Sequence, residues 1–151
     1  MERCIFVEIA GKQYPMSFSL GATKRIIGKF GSTQNMMKNL KKAQEKGNEE
    51  NMELSDRDSL EALETISFIL EILIAQGCAY KNYFEKDLPA PVNAPIEEGK
   101  WIPLPKEALD IAIQIADTKK IVEKISECVN QGSKKKIEAK AAGKNPKAAQ
   151  G

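Results

Sequence analysis

A long apolar helix near the middle of the chain constrains the fold more than any other feature. Its apolar residues recur at three- and four-residue spacing, the period of one helix face: Leu60, Leu63, Leu70 and Ile74. Between residues 66 and 75 almost every side chain is apolar, so other elements must cover this helix on most sides. The stretch is too short for a bilayer and carries Glu71, which favours a core helix over a membrane span.

The ends of this helix carry recognisable boundary signals. Ser55 is a good N-cap residue, and Asp56 and Asp58 place negative charge beside the positive N-terminus. Gly77 allows two interpretations: it ends or kinks the helix, or the apolar pattern continues through it as far as Phe84. We therefore predict a central helix over residues 56–76 and leave its extension open.

Length and composition indicate one globular domain with a polar tail. The chain has 151 residues, of which 42% are hydrophobic and 29% are charged. Residues 133–151 are rich in Lys, Ala and Gly and have few large apolar groups, which predicts a flexible basic tail. We expect a single globular domain over residues 1–132. The first residues lead into a strand-like run and not into an apolar signal segment, which favours a cytoplasmic protein.

No residue pattern in the chain indicates catalysis or a bound cofactor. There is no histidine, which removes the commonest general base and the commonest metal ligand. Cys4, Cys78 and Cys128 lie far apart and include no C-x-x-C pair, so neither a zinc site nor a redox pair is indicated. An odd number of cysteines fits a reducing cytoplasm. We therefore expect no catalytic, cofactor-binding or metal-binding residues, and we do not expect an enzyme.

Basic and acidic residues are segregated along the chain. Residues 1–47 contain nine basic and three acidic residues, a net +6, whereas residues 48–132 contain eight and seventeen, a net −9. Residues 133–151 contain six and one, a net +5. The pattern has two interpretations: solvated faces with a basic tail, or opposed patches that steer a charged partner or a second copy of the chain. The tail contains neither arginine nor an interleaved aromatic residue, so it gives little support to nucleic-acid binding.

A β-hairpin is predicted at the N-terminus, over residues 3–18. The residues from Cys4 to Ile9 alternate as in a strand, and Gly11 can take the positive φ that a tight turn requires. Pro15 lacks an N–H donor, which places it at a sheet edge or a bulge. A lone hairpin is marginally stable in water. It must therefore pack on helices, gain further strands such as one near Trp101, or pair with a second chain.

Two helices are predicted between the hairpin and the central helix. The first begins after Ser19, a candidate N-cap, and ends at Gly31. The second begins at Ser32 or Thr33, and its apolar side contains three residues: Met36, Met37 and Leu40. This side either fills the core or supplies an adaptable binding surface. Residues 44–51 are polar throughout and are predicted to form a flexible loop.

The aromatic residues that follow the central helix are the next candidates for a binding surface. Tyr80, Tyr83 and Phe84 fall on one helical face and are predicted to pack on the core, with an exposed aromatic binding patch as the alternative. Residues 87–105 contain several prolines, which forbid a regular helix. Trp101, the only tryptophan, either anchors this arm on the helices or contacts a partner.

Two further helices complete the domain. Pro105 opens the first, whose apolar stripe extends from Leu109 to Ala116. Asp117 is the predicted N-cap of the second, which is amphipathic and ends at Gly132. The whole set of elements predicts an α+β, mostly helical fold in which an N-terminal β-hairpin packs on a bundle of about five helices.

The order of these elements resembles a known protein family. The similarity is carried by four segments, residues 9–15 (IAGKQYP), 19–22 (SLGA), 30–31 (FG) and 76–82 (QGCAYKN), and extends with less specificity over residues 3–132. In these segments the chain resembles the tail assembly chaperones of Gram-positive long-tailed phages and prophages.

This resemblance implies a non-enzymatic protein of the bacterial host cytoplasm that is absent from the virion. Such a protein prevents aggregation of the tape measure protein and recruits tail tube subunits, and self-association is compatible with this role. In this family a ribosomal frameshift near the end of the gene often yields a longer product, and a slippery run can encode Lys134, Lys135 and Lys136. The candidate partner-binding residues are Met36, Met37, Leu40, Tyr80, Tyr83, Phe84 and Trp101. The alternatives are another phage tail structural or adaptor protein and a small nucleic-acid-binding regulator.

Overall fold

The computed structural model describes residues 3–48 and 57–133, which form a mostly helical α+β fold. A short 3-10 helix, Ile115–Asp117, precedes the last α-helix. The other elements, in chain order, are β1 (Ile5–Ile9), β2 (Lys12–Met16), α1 (Leu20–Phe30), α2 (Thr33–Asn48), α3 (Arg57–Phe84), β3 (Ile96–Glu97), β4 (Lys100–Trp101), α4 (Lys106–Ala112) and α5 (Thr118–Gly132). The predicted fold class, a hairpin on a bundle of about five helices, is confirmed. Ser55 and Asp56, the predicted start of the central helix, lie outside the described residues.

The N-terminal hairpin is an antiparallel pair of strands whose register joins Ile5 to Met16 and Ile9 to Lys12. Its turn places Gly11 at a φ of 82°, as predicted from the glycine. The backbone N–H groups of Gln13 and Ser17 point away from β1 and donate to Asn93 and Leu73, at 3.0 and 3.1 Å. Pro15 lies between these two residues, so its missing N–H falls on the outer edge and interrupts no bond between the strands.

Helices α1 and α2 begin and end at the residues that cap them. The Ser19 hydroxyl accepts a hydrogen bond from the Ala22 N–H at 3.1 Å, and Gly31 ends α1 in the left-handed conformation. The Ser32 hydroxyl accepts from the Asn35 N–H and caps α2. The predicted loop over residues 44–51 is wrong in its first part, because α2 continues to Asn48 and residues 49–51 lie outside the described chain. Gln, Glu and Lys are good helix formers, so a polar segment can extend a helix that already packs on the core.

Helix α3 is the centre of the fold and continues through Gly77 to Phe84. It packs against α1, α2, α4, α5, β2 and β4. The apolar run expected in the core is fully buried: Ile66, Ile69, Leu70, Ile72, Leu73 and Ile74. Gly77 is required by packing and does not end the helix, because a Cβ at this position would lie 2.1 Å from the Pro15 carbonyl oxygen. The absence of a side chain lets β2 lie directly on the helix backbone.

One part of α3, Leu63–Phe84, is long and apolar enough to cross a membrane by length and composition alone. The same test is passed by the core helix of a soluble protein. Here much of the segment is covered by the other helices and by the hairpin. The packing of α3 therefore fits the predicted core helix.

The arm that follows α3 contains a second, small hairpin. Strands β3 and β4 pair through a turn in which Glu98 and Gly99 both have positive φ. The strand expected near Trp101 is thus present, but it pairs with β3 and forms a separate two-stranded sheet. The arm also accepts the hydrogen bond from Gln13, through the Asn93 carbonyl, and so holds the edge of the first hairpin.

The C-terminal helices differ from the prediction at one boundary. Helix α4 follows Pro105 and ends at Ala112, so the helix predicted through Ala116 is too long. The chain is extended at Ile113 and Gln114, and the Asp117 carboxylate accepts a hydrogen bond from the Gln114 N–H at 2.9 Å. This bond starts a new helical turn and competes with continuation of α4. The apolar face of α5 is buried as predicted: Ile121, Val122, Ile125, Cys128 and Val129.

Candidate partner-binding surfaces

The apolar side of α2 belongs to the core. Met36 and Leu40 are fully buried, and Met37 is half-buried and packs against the same core. Helix α2 lies between α3 and α5, which cover this side. The interpretation of Met36 and Leu40 as a binding surface is therefore wrong, and Met37 offers only part of its side chain. Methionine fills a gap between helices here.

Trp101 anchors the arm on α3. Its side chain is only 5% exposed, and its ring meets Phe6 edge to face with 6.2 Å between centroids. The Asn82 side chain accepts a hydrogen bond from the Trp101 N–H at 2.9 Å and donates to the Trp101 carbonyl at 3.0 Å. Asn82 thereby satisfies both backbone groups of one strand residue, as a neighbouring strand would. This burial contradicts the alternative role for Trp101, which was contact with a partner.

The aromatic residues at the end of α3 form an exposed cluster. Tyr83 is 81% exposed and Phe84 is 74% exposed, whereas Tyr80 is half-buried. The ring centroids of Tyr80 and Phe84 are 5.2 Å apart, and those of Tyr83 and Phe84 are 6.2 Å apart. The prediction that all three pack on the core is wrong for Tyr83 and Phe84. Their helical turn extends beyond Lys81, the last buried residue of α3.

The aromatic cluster, defined as Tyr80, Tyr83 and Phe84, is held in place from below. The Arg3 guanidinium lies 5.4 Å from the centroid of the Tyr80 ring. Lys81, buried in the same turn, forms a 2.8 Å ion pair with Glu85 and lies over the rings of Phe6 and Trp101. These contacts fix Tyr80 and the helical turn on which the two exposed rings stand, so the turn itself needs little ordering on binding.

A groove lies at the other end of α3. It has a volume of about 520 Å³ and is lined by residues of α1, α2 and α3: Lys29, Phe30, Asn39, Leu60, Glu61, Glu64, Thr65 and Phe68. The rings of Phe30 and Phe68 meet edge to face at 5.8 Å, and the Lys29 ammonium lies 5.3 Å from the centroid of Phe68. Leu60 is 51% exposed on its rim. The volume of the groove is within the range of small ligand-binding clefts.

A smaller cleft of about 210 Å³ separates α3 from α4 and shares Leu60 and Glu64 with the groove. Lys106 pairs with two carboxylates that line the cleft, those of Glu64 and Asp110. The hydrogen bond from Lys106 to Glu64 raises the pKa of the lysine above its usual value. Lys106 also donates its backbone N–H to Glu71 at 2.8 Å, so these contacts attach α4 to α3.

The three cysteines are buried, and Cys78 and Cys128, both distant from Cys4 in sequence, each lie near it in the fold. Burial, followed by the nearby thiol of Cys4, raises the pKa of Cys78 and of Cys128 to about 12. At neutral pH these thiols are protonated and are therefore poor nucleophiles. Across residues 3–48 and 57–133 no group of three metal-ligating side chains is found.

No family model, curated protein or solved structure matches the chain.

Proposed function

We propose that this protein is a non-enzymatic phage tail assembly chaperone that acts in the bacterial host cytoplasm. It binds the tape measure protein and helps to recruit tail tube subunits. The observation that carries the proposal is the aromatic cluster, in which two large rings stand exposed on a turn whose base is fixed. Exposed apolar groups of this kind mark sites of interaction with other proteins.

The chemistry of the cluster suits an apolar segment of a client. Tyr and Phe are enriched at the centres of interfaces, where they contribute large contact areas. The Arg3 guanidinium lies against the Tyr80 ring, and two further exposed charges, Lys86 and Asp87, follow Phe84 closely in the chain. An apolar centre with a polar rim is the usual arrangement of a protein-binding surface. A helical client would dock the apolar stripe of one helix on these rings.

The segments that resemble the chaperone family have structural roles, which lends the proposal further support. Gly11 forms the turn of the first hairpin, and Gly31 ends α1. Gly77 allows β2 to approach α3, and Asn82 holds the arm through Trp101. The similarity therefore lies in residues that determine the fold, as expected for a family that works through surfaces.

The proposal is tested by co-expression with a tape measure protein. The wild-type chain should increase the soluble fraction of the client, and the double variant Tyr83→Ser/Phe84→Ser should not. Loss of a central aromatic residue costs about 2 kcal/mol or more, which is roughly a thirtyfold loss of affinity. Because both side chains are exposed, the double variant should keep the wild-type unfolding midpoint.

Ile111→Ser provides a matched control. Ile111 is exposed on α4, which contacts α3 through Lys106, Glu64 and Glu71. Glu71 and Phe84 are thirteen residues apart on α3, or about 20 Å. A client that stays insoluble with the wild-type chain would contradict the proposal. Recovery of the chain from purified virions would instead identify a tail structural protein, and DNA binding lost on removal of residues 133–151 would identify a nucleic-acid-binding regulator.

A further inference from the structure

The outer edge of β1 carries a row of backbone groups that point away from the first hairpin. In the register of the hairpin, Phe6 lies opposite Pro15 and Glu8 lies opposite Gln13. The Gln13 N–H points outward and donates to Asn93, so these two pairs are the ones that exchange no hydrogen bonds within the hairpin. The N–H and carbonyl groups of Phe6 and Glu8 therefore point outward as well, which gives two donors and two acceptors along β1.

These four groups have no hydrogen-bond partner within residues 3–48 and 57–133. Buried backbone groups are nearly always paired, and Glu8 is an exposed residue, so the unpaired groups face solvent. The outer edge of β2 is different. The arm and α3 accept the N–H groups of Gln13 and Ser17, and Pro15 between them has no N–H to pair. The fold thus covers one edge of the hairpin and leaves the other available.

Strand β1 also lacks most of the features that protect an edge. Edge strands commonly carry proline, lysine or a bulge, which prevent pairing with another chain. The sequence of β1, IFVEI, contains no proline, glycine or lysine, and all five residues pair with β2 without a bulge. We propose that the outer edge of β1 is a docking site for an extended segment of a partner protein, which adds an antiparallel strand and carries lysine or arginine opposite Glu8.

The side chains of β1 determine the sequence of this segment. In an antiparallel pair, Phe6 and Glu8 would each exchange two hydrogen bonds with the residue opposite. Within the described chain the Glu8 carboxylate accepts only a long, 3.4 Å hydrogen bond from Gln13, so a basic residue opposite it would complement its charge. Phe6, which packs against Trp101, favours a β-branched or aromatic residue opposite. From its N-terminus, the segment therefore has a basic residue, any residue, and then a β-branched or aromatic residue.

A second copy of the chain fits this edge less well. An antiparallel pair of β1 strands centred on Val7 would place the two copies of Glu8 on one face, about 7–8 Å apart on the diagonal. A shift in one direction sets the two carboxylates directly opposite each other, and a shift in the other direction requires the backbone beside Cys4, which is buried. The chain's own tail is also a poor strand, because residues 133–151 are rich in Lys, Ala and Gly, which are depleted in sheets.

Hydrogen exchange of individual amides, measured by NMR on the full chain, tests whether the edge is open. In the free chain the Phe6 and Glu8 amides should exchange rapidly, whereas those of Val7 and Ile9, which point toward β2, should be protected. A docked strand should slow exchange at Phe6 and Glu8 about tenfold when nine-tenths of the chain is bound, because only the free fraction then exchanges. Val7 and Ile9 serve as internal controls, and their protection should not change.

The probe for docking is a synthetic peptide of about nine residues in which valine and threonine alternate around one lysine. Its control has glutamate in place of the lysine. The lysine peptide should bind saturably, and about fivefold more tightly than the glutamate peptide at low salt, because opposite charges across strands attract and like charges repel. The preference should decrease as the salt concentration rises, since the pair is exposed to solvent. Fluorescence anisotropy with labelled peptides measures both affinities.

Two substitutions of Glu8 separate the hydrogen bonds from the charge. Glu8→Ala and Glu8→Pro both remove the carboxylate, so both should abolish the preference for lysine. Only Glu8→Pro also removes the outward N–H, and it should bind either peptide about tenfold more weakly than Glu8→Ala. Pro15 has the corresponding outward position in β2, so the hairpin tolerates proline there. If Glu8→Pro fails to fold, the exchange of the Phe6 amide in the wild-type chain with and without peptide decides the question.

Several results would overturn the proposal. They are protection of the Phe6 and Glu8 amides in the free monomer, a failure of the lysine peptide to saturate, or equal affinities of Glu8→Pro and Glu8→Ala. Protection that increases with protein concentration as the chain dimerises would assign the edge to a second copy. Protection that is lost on removal of residues 133–151 would assign it to the tail of the same chain. The inference is independent of the proposed function, because the variant Tyr83→Ser/Phe84→Ser should keep its affinity for the lysine peptide even where it loses the client.

Discussion

Substitution of Gly77 by alanine should destabilise the protein, although alanine is the better helix former. Gly77 lies inside α3, where β2 crosses the helix backbone. A Cβ at this position would lie 2.1 Å from the Pro15 carbonyl oxygen and 2.8 Å from the Met16 nitrogen. Ordinary contact begins near 3.4 Å, so the two backbones must separate by about 1.3 Å. The clashing atoms are backbone atoms and cannot rotate away.

The expected change in the free energy of unfolding combines two costs and one gain. Crowding of a well-packed core costs about 1–3 kcal/mol. The same separation would stretch the 3.1 Å bond from the Ser17 N–H to the Leu73 carbonyl beyond hydrogen-bonding distance, which costs about 1 kcal/mol. The gain in helix propensity from glycine to alanine returns about 1 kcal/mol. We therefore expect Gly77→Ala to lower the free energy of unfolding by about 2 kcal/mol.

Gly28→Ala is the matched control, because Gly28 lies inside α1 and a Cβ there would meet no atom within 4 Å. This variant should gain up to about 1 kcal/mol from helix propensity alone. The two variants should thus differ by about 3 kcal/mol, or roughly 6–12 °C in melting temperature for a chain of this size. Urea unfolding followed by circular dichroism measures both midpoints. A Gly77→Ala protein as stable as Gly28→Ala would refute the proposed contact between β2 and α3.

Two other predictions concern the core. Asn82→Ala should lower the free energy of unfolding by about 1–3 kcal/mol, because it leaves two backbone groups of Trp101 without partners. It should also shift the fluorescence of Trp101 to longer wavelength. Asn130→Ala, on the exposed side of α5, is the control. Burial raises the pKa of Cys78 and Cys128 from 9.0 to about 12, so above pH 9 the unfolded chain loses these protons first. Stability should therefore be fully present below pH 9 and fall between pH 9 and 12, by about 1.4 kcal/mol per pH unit for each thiol. Unfolding at a series of pH values should show a shallower fall for Cys78→Ala than for wild type.

Local signals in the sequence predict most of the helices and turns. Ser19 and Gly31 bound α1, and the turn at Gly11 adopts the positive φ that this glycine allows. Such signals depend on a few neighbouring residues, so they act the same way in most contexts. The early end of α4 at Ala112 is missed, because it depends on one side chain, Asp117, which bonds to Gln114 and starts a new turn.

The burial of individual side chains is predicted less well, because periodicity gives the face of a helix without giving the elements that cover it. Met36 and Phe84 both belong to apolar stripes, yet Met36 is fully buried and Phe84 is 74% exposed. Helix α2 is covered by α3 and α5, whereas the last turn of α3 extends past its neighbours. The groove is harder still to predict, since Phe30, Leu60 and Phe68 come from segments that only the folded chain brings together.

The size of each surface limits what it can do alone. Tyr83 and Phe84 together expose roughly 300 Å² that a partner can cover, worth about 7 kcal/mol at 25 cal/mol per Å². Association costs at least about 4 kcal/mol, so the cluster by itself supports only weak binding. If the outer edge of β1 adds a second contact, the two contacts reinforce each other only for a client long enough to reach both. A long client, as proposed above, meets this condition, whereas a short apolar peptide does not. The same chain would therefore release short segments readily and retain an extended client.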